Sequence, residues 1–249
     1  MSNTSEASAA STLPTVAQVA QLIDHAILKP EFTRAEVDSQ LELAGRYGVF
    51  SVCVRPSDIG HAVEKLAGTD TAVGTVIGFP HGTTSTAAKV AESIQAIADG
   101  ASELDMVVNI GWLKSAMIDE VEADIRAVVD AAGGRVVKVI LETIFLDDQQ
   151  IAAGSAAAAR AGASFVKTST GFNGGGANVH DLVIMRDSVP ESVQVKASGG
   201  VRGLDTLLEM LALGVTRFGT SASSTILDDL EARITSGVTT GVGDDATSY

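Results

Sequence analysis

Cysteine is all but absent: Cys53 is the only one in 249 residues, so no disulfide can form within the chain. That suits a reducing cytosol, and a cytoplasmic location is the expectation. Aromatic residues make up only 4%, and the apolar mass is instead Ala, Val, Ile and Leu. Such a composition favours buried parallel strands flanked by alanine-rich helices over an all-β sandwich. Positive charge is also short, with 17 Lys and Arg against 31 Asp and Glu and a net charge of -14. This argues against nucleic acid or an anionic membrane surface as partners. A small anionic ligand stays open, because backbone N–H groups can bind phosphate on an acidic protein. No apolar run approaches ~18 residues, so no membrane span is expected. The opening "MSNTSEASAASTLPT" lacks a basic segment and an apolar core, which excludes a signal peptide. Residues 1–13 read as a mobile tail.

What is present is a regular alternation. Hydrophobic residues reach 45%, enough for a large core. Eight short β-branched runs recur: 22–28, 49–55, 72–79, 102–109, 136–143, 164–170, 193–199 and 215–221. Between them lie stretches with helical spacing, such as "TRAEVDSQLELAGRYG" and "DDQQIAAGSAAAARAGA". Gly100-Ala101 and Gly162-Ala163 suit left-handed helix ends. Eight units of roughly thirty residues predict a single-domain α/β protein, a (β/α)8 TIM barrel over 14–236, with a flexible tail at 237–249. A doubly wound sheet would usually hold fewer strands at this length. Residues 15–22 read as a capping helix.

Several strands carry charges that a structural strand would avoid. Asp24 lies in run one, Asp105 in run four, Lys138 and Glu142 in run five, Lys167 in run six and Lys196 in run seven. Alternation groups Glu103, Asp105, Val107 and Asn109 on one face, Lys138, Ile140 and Glu142 on the next strand, and Phe165, Lys167 and Ser169 on the one after. Buried ion pairs add little net stability, so a cluster of them points to function. A lysine amine attacks a carbonyl only when neutral, and burial or a neighbouring cation brings that about. Lys167 and Lys196 on adjacent strands offer both, and Asp105 and Asp24 offer carboxylates for proton transfer. The glycine-rich loops after runs six, seven and eight form a candidate phosphate site, with Gly171, Gly199, Gly200, Gly219 and Ser221 as its members. Four scattered histidines supply no metal-ligand set.

Taken in order, "DHAILKP", "SVCVRP", "TVIGFPHG", "ELDMVVNIG", "VKVILET", "FVKTSTGF" and "VKASGGVR" closely resemble the deoxyribose-phosphate aldolase family of class I aldolases. The likeness runs from about Leu22 to Ser224. It implies reversible cleavage of 2-deoxy-D-ribose 5-phosphate to D-glyceraldehyde 3-phosphate and acetaldehyde, with neither metal nor organic cofactor. It also implies Lys167 as the Schiff-base lysine, Lys196 as the second lysine that lowers its pKa, Asp105 as the proton-transfer carboxylate and Asp24 as its supporting acid. Phosphate contacts fall on the five loop residues already named. Two positions depart from the family pattern: Ala26 stands where a threonine is usual, and Ala222 where a second serine is. Tyr249 matches a terminal tyrosine that assists proton transfer in some members, although an acidic tail explains it equally. Another class I aldolase on a different sugar phosphate, or a sugar-phosphate-binding barrel without turnover, are the competing readings, and a homo-oligomer is compatible with all three. Trp112 and Cys53 read as packing residues, His25 as a hydrogen-bonded one, and His81 as a solvated loop residue.

Overall fold

Each apolar run becomes one strand, and each intervening stretch one or two helices. In the computed structural model, which describes residues 13–238, the strands are β1 (Ile23–Ile27), β2 (Ser51–Val54), β3 (Ala72–Ile77), β4 (Glu103–Val107), β5 (Val136–Ile140), β6 (Phe165–Lys167), β7 (Gln194–Ser198) and β8 (Arg217–Thr220). All neighbours pair in parallel, and β8 closes on β1, giving a closed (β/α)8 barrel in sequence order. The helices are α1 (Val16–Ala20), α2 (Arg34–Tyr47), α3 (Ile59–Lys65), α4 (Thr86–Ala98), α5 (Ile110–Lys114), α6 (Ile118–Ala132), α7 (Asp148–Arg160), α8 (Val179–Asp187), α9 (Leu204–Ala212) and α10 (Ser223–Ser236). Among the described residues no helix is long and apolar enough to cross a membrane. Of the tails expected at 1–13 and 237–249, residues 1–12 and 239–249, Tyr249 included, lie outside the described residues.

Local chemistry sets the element ends. Thr33 starts α2 through a capping box, its hydroxyl accepting from Glu36 N–H while the Glu36 carboxylate accepts from Thr33 N–H. Gly48 ends the same helix in the left-handed region at φ 60°. Strand alternation sorts the two faces of the barrel wall. Leu104 and Met106, Val137 and Val139, and Val195 and Ala197 join the apolar layer under the helices. The residues between them, Asp105, Lys138 and Lys196, therefore turn inward.

Two inward assignments do not survive at the strand ends. Asn109 caps α5, accepting from Trp112 N–H at 3.2 Å, and so belongs to a helix start. Glu142 lies beyond β5 in a left-handed conformation, φ 58°, which breaks the alternation that linked it to Lys138. Ser169 also lies just beyond β6, which ends at Lys167, and is fully buried. In each case the apolar run continues past the last ladder residue, so composition overestimates the strand.

Candidate active site

The register of the barrel brings the charges together. Lys167 of β6 pairs in register with Lys196 of β7, so both amines leave the wall at one level. Each donates to the same oxygen of Asp105, Oδ2, at 2.7 Å. Lys196 also donates to Asp24 Oδ2 at 2.5 Å. Lys138 reaches Glu103 at 2.6 Å, Asp105 Oδ1 at 2.9 Å and Asp24 at 3.2 Å. Ser51 donates to Asp24 Oδ1 at 2.7 Å. All these charged groups are buried.

Burial and partners divide the lysines. Burial pulls the Lys167 pKa below its usual value; Asp105 opposes this and Lys196 reinforces it. The Lys196 amine is also buried, but Asp105 and Asp24 more than offset that and hold its pKa above the usual value. Lys138 is held well above for the same reason, by Asp105, Asp24 and Glu103 against burial. Burial alone would raise the Asp105 pKa; Lys138, Lys167 and Lys196 together hold it well below the ordinary carboxylate range. Lys167 is thus the amine most readily neutral, the state a nucleophile needs.

Above the cluster, at the C-terminal ends of the strands, lies a cleft of about 430 Å³. Lys167, Lys196 and Asp24 reach it from below, and Gly171, Gly199, Gly200, Gly219 and Ser221 form part of its rim. Glycine is required at two of these turns. A Cβ on Gly219 would come 2.8 Å from the Ser198 Cβ and 3.3 Å from the Lys196 Cε, so its absence makes room for the lysine. Gly199 sits at φ 78° and its carbonyl lies where a Gly176 Cβ would be, at 2.4 Å. Ala177 N–H then donates to Ser198 O and Gly199 O at 3.1 and 3.0 Å, tying the loop after β6 to the loop after β7.

Comparison with known proteins agrees with this geometry. The model of the DeoC/LacD family of aldolases matches residues 18–241. Deoxyribose-phosphate aldolase 2 of Staphylococcus aureus (strain MSSA476) is 51% identical over 213 residues, 86% of this chain and 97% of the relative. The chain belongs to the DeoC/LacD aldolase family.

Solved structures carry the family likeness into three dimensions. One from Coccidioides immitis superposes with TM-score 0.85 at 43% identity, covering 88% of this chain and 87% of that one. The tetrameric deoxyribose phosphate aldolase of Aeropyrum pernix superposes with TM-score 0.80 at 30% identity, covering 88% and 94%. Family membership makes this chain an aldolase, a carbon–carbon lyase.

Every predicted site residue among those described lies in the cluster or on the cleft rim. Ala26 lines the cleft, so the methyl that stands for the family's threonine faces the site. Ala222 N–H donates to Thr220 Oγ1 at 2.9 Å at the start of α10. Three contributors escape sequence reasoning, and Lys138, which that reasoning places inward, gains three carboxylate partners. Arg217, first residue of β8, donates to Asp24 at 2.8 Å and lies 3.4 Å from Glu103. Its signal was its position two residues before Gly219, hence on the inward face. Lys29 and Arg202 line the cleft; Arg202 follows the glycine pair directly.

The remaining residues take structural places. His25 is buried, with Nε2 2.9 Å from Gln40 Oε1 and Nδ1 2.7 Å from Ser223 Oγ. Since Gln40 Oε1 only accepts, Nε2 carries the proton and Nδ1 accepts from the serine. Burial lowers the His25 pKa, partly opposed by Gln40, which agrees with a neutral ring. His81 is exposed. Trp112 packs against the apolar layer. Cys53 lines the cleft, but burial and then Asp105 push its pKa up to about 11, so it stays a thiol.

Glu142 has a distinct task. Fully buried, it accepts from Thr170 N–H at 3.2 Å, from the Thr170 hydroxyl, and from Asn173 Nδ2 at 2.8 Å. It fastens the loop that carries Gly171. Glu142→Ala leaves buried donors unmet, at about 1–3 kcal/mol for each such group. The expected result is a stability loss of roughly 2–3 kcal/mol in urea unfolding together with a raised KM. Stability within about 0.5 kcal/mol of the parent protein would contradict it.

Proposed function

We propose that this enzyme is a class I deoxyribose-phosphate aldolase, cleaving 2-deoxy-D-ribose 5-phosphate reversibly to D-glyceraldehyde 3-phosphate and acetaldehyde. The observation that carries the reading is a buried amine, Lys167, whose pKa is depressed while two neighbouring lysines keep their protons.

Lys167 Nζ adds to the C1 aldehyde, and loss of water gives a protonated imine. Removal of the C3 hydroxyl proton then breaks the C2–C3 bond. Its electron pair flows into the imine, leaving an enamine and releasing D-glyceraldehyde 3-phosphate. A proton returned to C2 restores the imine, and water hydrolyses it to acetaldehyde and the free amine. Asp105, which touches both lysines, exchanges these protons, with Asp24 and Lys196 as the relay behind it. Lys196, held charged, disfavours a proton on Lys167. The substrate phosphate is received by the backbone of Gly171, Gly199, Gly200 and Gly219 and by the Ser221 hydroxyl. In the same reading the enzyme works in the cytoplasm, supported by its lone cysteine, and as a homo-oligomer, supported by the tetrameric Aeropyrum pernix relative.

The test is a coupled assay of D-glyceraldehyde 3-phosphate release, with borohydride reduction of the enzyme during turnover. A reduced two-carbon or sugar-phosphate adduct is expected on Lys167. An adduct on Lys138 or Lys196 instead, or cleavage with no adduct, overturns the assignment. Turnover of other phosphorylated sugars but not of deoxyribose 5-phosphate overturns the substrate.

A further inference from the structure

The ion network inside the barrel is unbalanced, and the imbalance has a chemical consequence. Its cations are Lys138, Lys167, Lys196 and Arg217; its anions are Asp24, Glu103 and Asp105. Fully ionised, the set holds one positive charge in excess. A net charge inside a dry barrel is costly, and proteins relieve it by gaining or losing a proton. Arginine cannot lose one. Lys138 touches three carboxylates and Lys196 two, whereas Lys167 touches Asp105 alone and shares that oxygen with Lys196. The excess proton therefore leaves from Lys167.

We propose that Arg217, which does not itself line the cleft, is the charge-setting residue of the active site: it supplies the fourth cation that drives the proton off Lys167. This rests on the reading of Lys167 as the nucleophile. Arg217 opens β8 and meets the site through Asp24, which does line the cleft. It pairs in register with Lys196, which pairs with Lys167, so one row of cations crosses three strands. Its guanidinium carbon lies 3.6 Å from the Phe50 ring centre and 5.4 Å from that of Phe165. Aromatic faces hold a guanidinium in place without adding a formal negative charge, and its carboxylate partners Asp24 and Glu103 are shared with Lys196 and Lys138.

The other groups around Lys167 make no ion pair with this network. On β2 Cys53 stays a thiol, and β3 contributes no titratable side chain. Glu142, beyond β5, is engaged by Thr170 and Asn173. His25 on β1 meets Gln40 and Ser223 on the helical side. The lowered pKa of Lys167, in which burial leads and Lys196 adds, agrees in direction.

The experiment is the pH profile of kcat/KM, whose acidic limb reports loss of the Lys167 proton in the free enzyme. Arg217→Met removes a positive charge, so the limb moves to higher pH, by about one unit, or about tenfold less rate at a fixed pH on the limb. Arg217→Lys keeps the charge and the limb stays. Glu103→Gln removes a negative charge and the limb moves to lower pH. The double variant Arg217→Met/Glu103→Gln returns toward the parent profile. Limbs of Arg217→Met and Glu103→Gln that coincide with the parent, or move the same way, overturn the proposal. If Arg217→Met does not fold, Glu103→Gln decides: a downward move supports, no move or an upward one overturns. Borohydride trapping on the parent enzyme keeps the two readings apart, since an adduct away from Lys167 sinks the nucleophile assignment whatever the limbs do.

Discussion

Lys167→Arg is expected to reduce kcat for deoxyribose 5-phosphate cleavage by at least about 10⁴-fold, the scale on which loss of a covalent nucleophile is felt. The guanidinium stays protonated at any working pH and has no free electron pair to offer a carbonyl. The substitution keeps a cation next to Asp105, so the neighbouring carboxylate is not left bare. Loss of activity with an unchanged fold therefore reports chemistry and not collapse. Circular dichroism and Tm should remain near those of the parent, and borohydride should trap nothing at position 167. Turnover within tenfold of the parent would remove Lys167 from the mechanism.

Asp124→Asn is expected to destabilise the protein by about 3–5 kcal/mol, although it lies outside the barrel. Lys89 of α4 is fully buried and donates to Asp124 Oδ2 of α6 at 2.5 Å and to Val107 O at 2.9 Å. Thr86 holds the other carboxylate oxygen at 2.7 Å. Removing the anion strands an ammonium between two helices, the situation in which a broken buried pair is most damaging. Replacing both partners by apolar residues, Lys89→Met/Asp124→Leu, is expected to recover most of the loss, because the pair itself adds little over good packing. Urea unfolding of the single and double variants reads both effects. If the single variant loses less than about 1 kcal/mol, or the double loses as much as the single, the pair is not acting as a buried ion pair.

The strands and most of the site were legible because period-two alternation is local. An inward Asp105 or Lys196 announces itself by standing between apolar neighbours such as Leu104 and Met106, or Val195 and Ala197. Glycines marked the rim for a related reason: few residues besides glycine adopt the left-handed turn of Gly199 at φ 78° or clear Lys196 as Gly219 does. Alternation failed where the chain left the ladder. Glu142 looked like an inward strand residue but lies past β5, where its left-handed backbone turns it to Thr170. Lys89 gave no signal at all, since a lone lysine on an alanine-rich helix has the pattern of a solvated one.

The order of the eight βα units, the faces of the strands and the likeness to an aldolase family were set by residues that act on near neighbours, and the chain alone specifies them. Which charge meets which was decided by closing the barrel. Lys167 and Asp105 are 62 residues apart, Lys196 and Asp24 172, and Arg217 and Asp24 193. No periodicity spans such separations. Only the ladder register and the joining of β8 to β1 bring these groups within hydrogen-bond reach, and only there does a surplus of one cation acquire an energy large enough to move a proton.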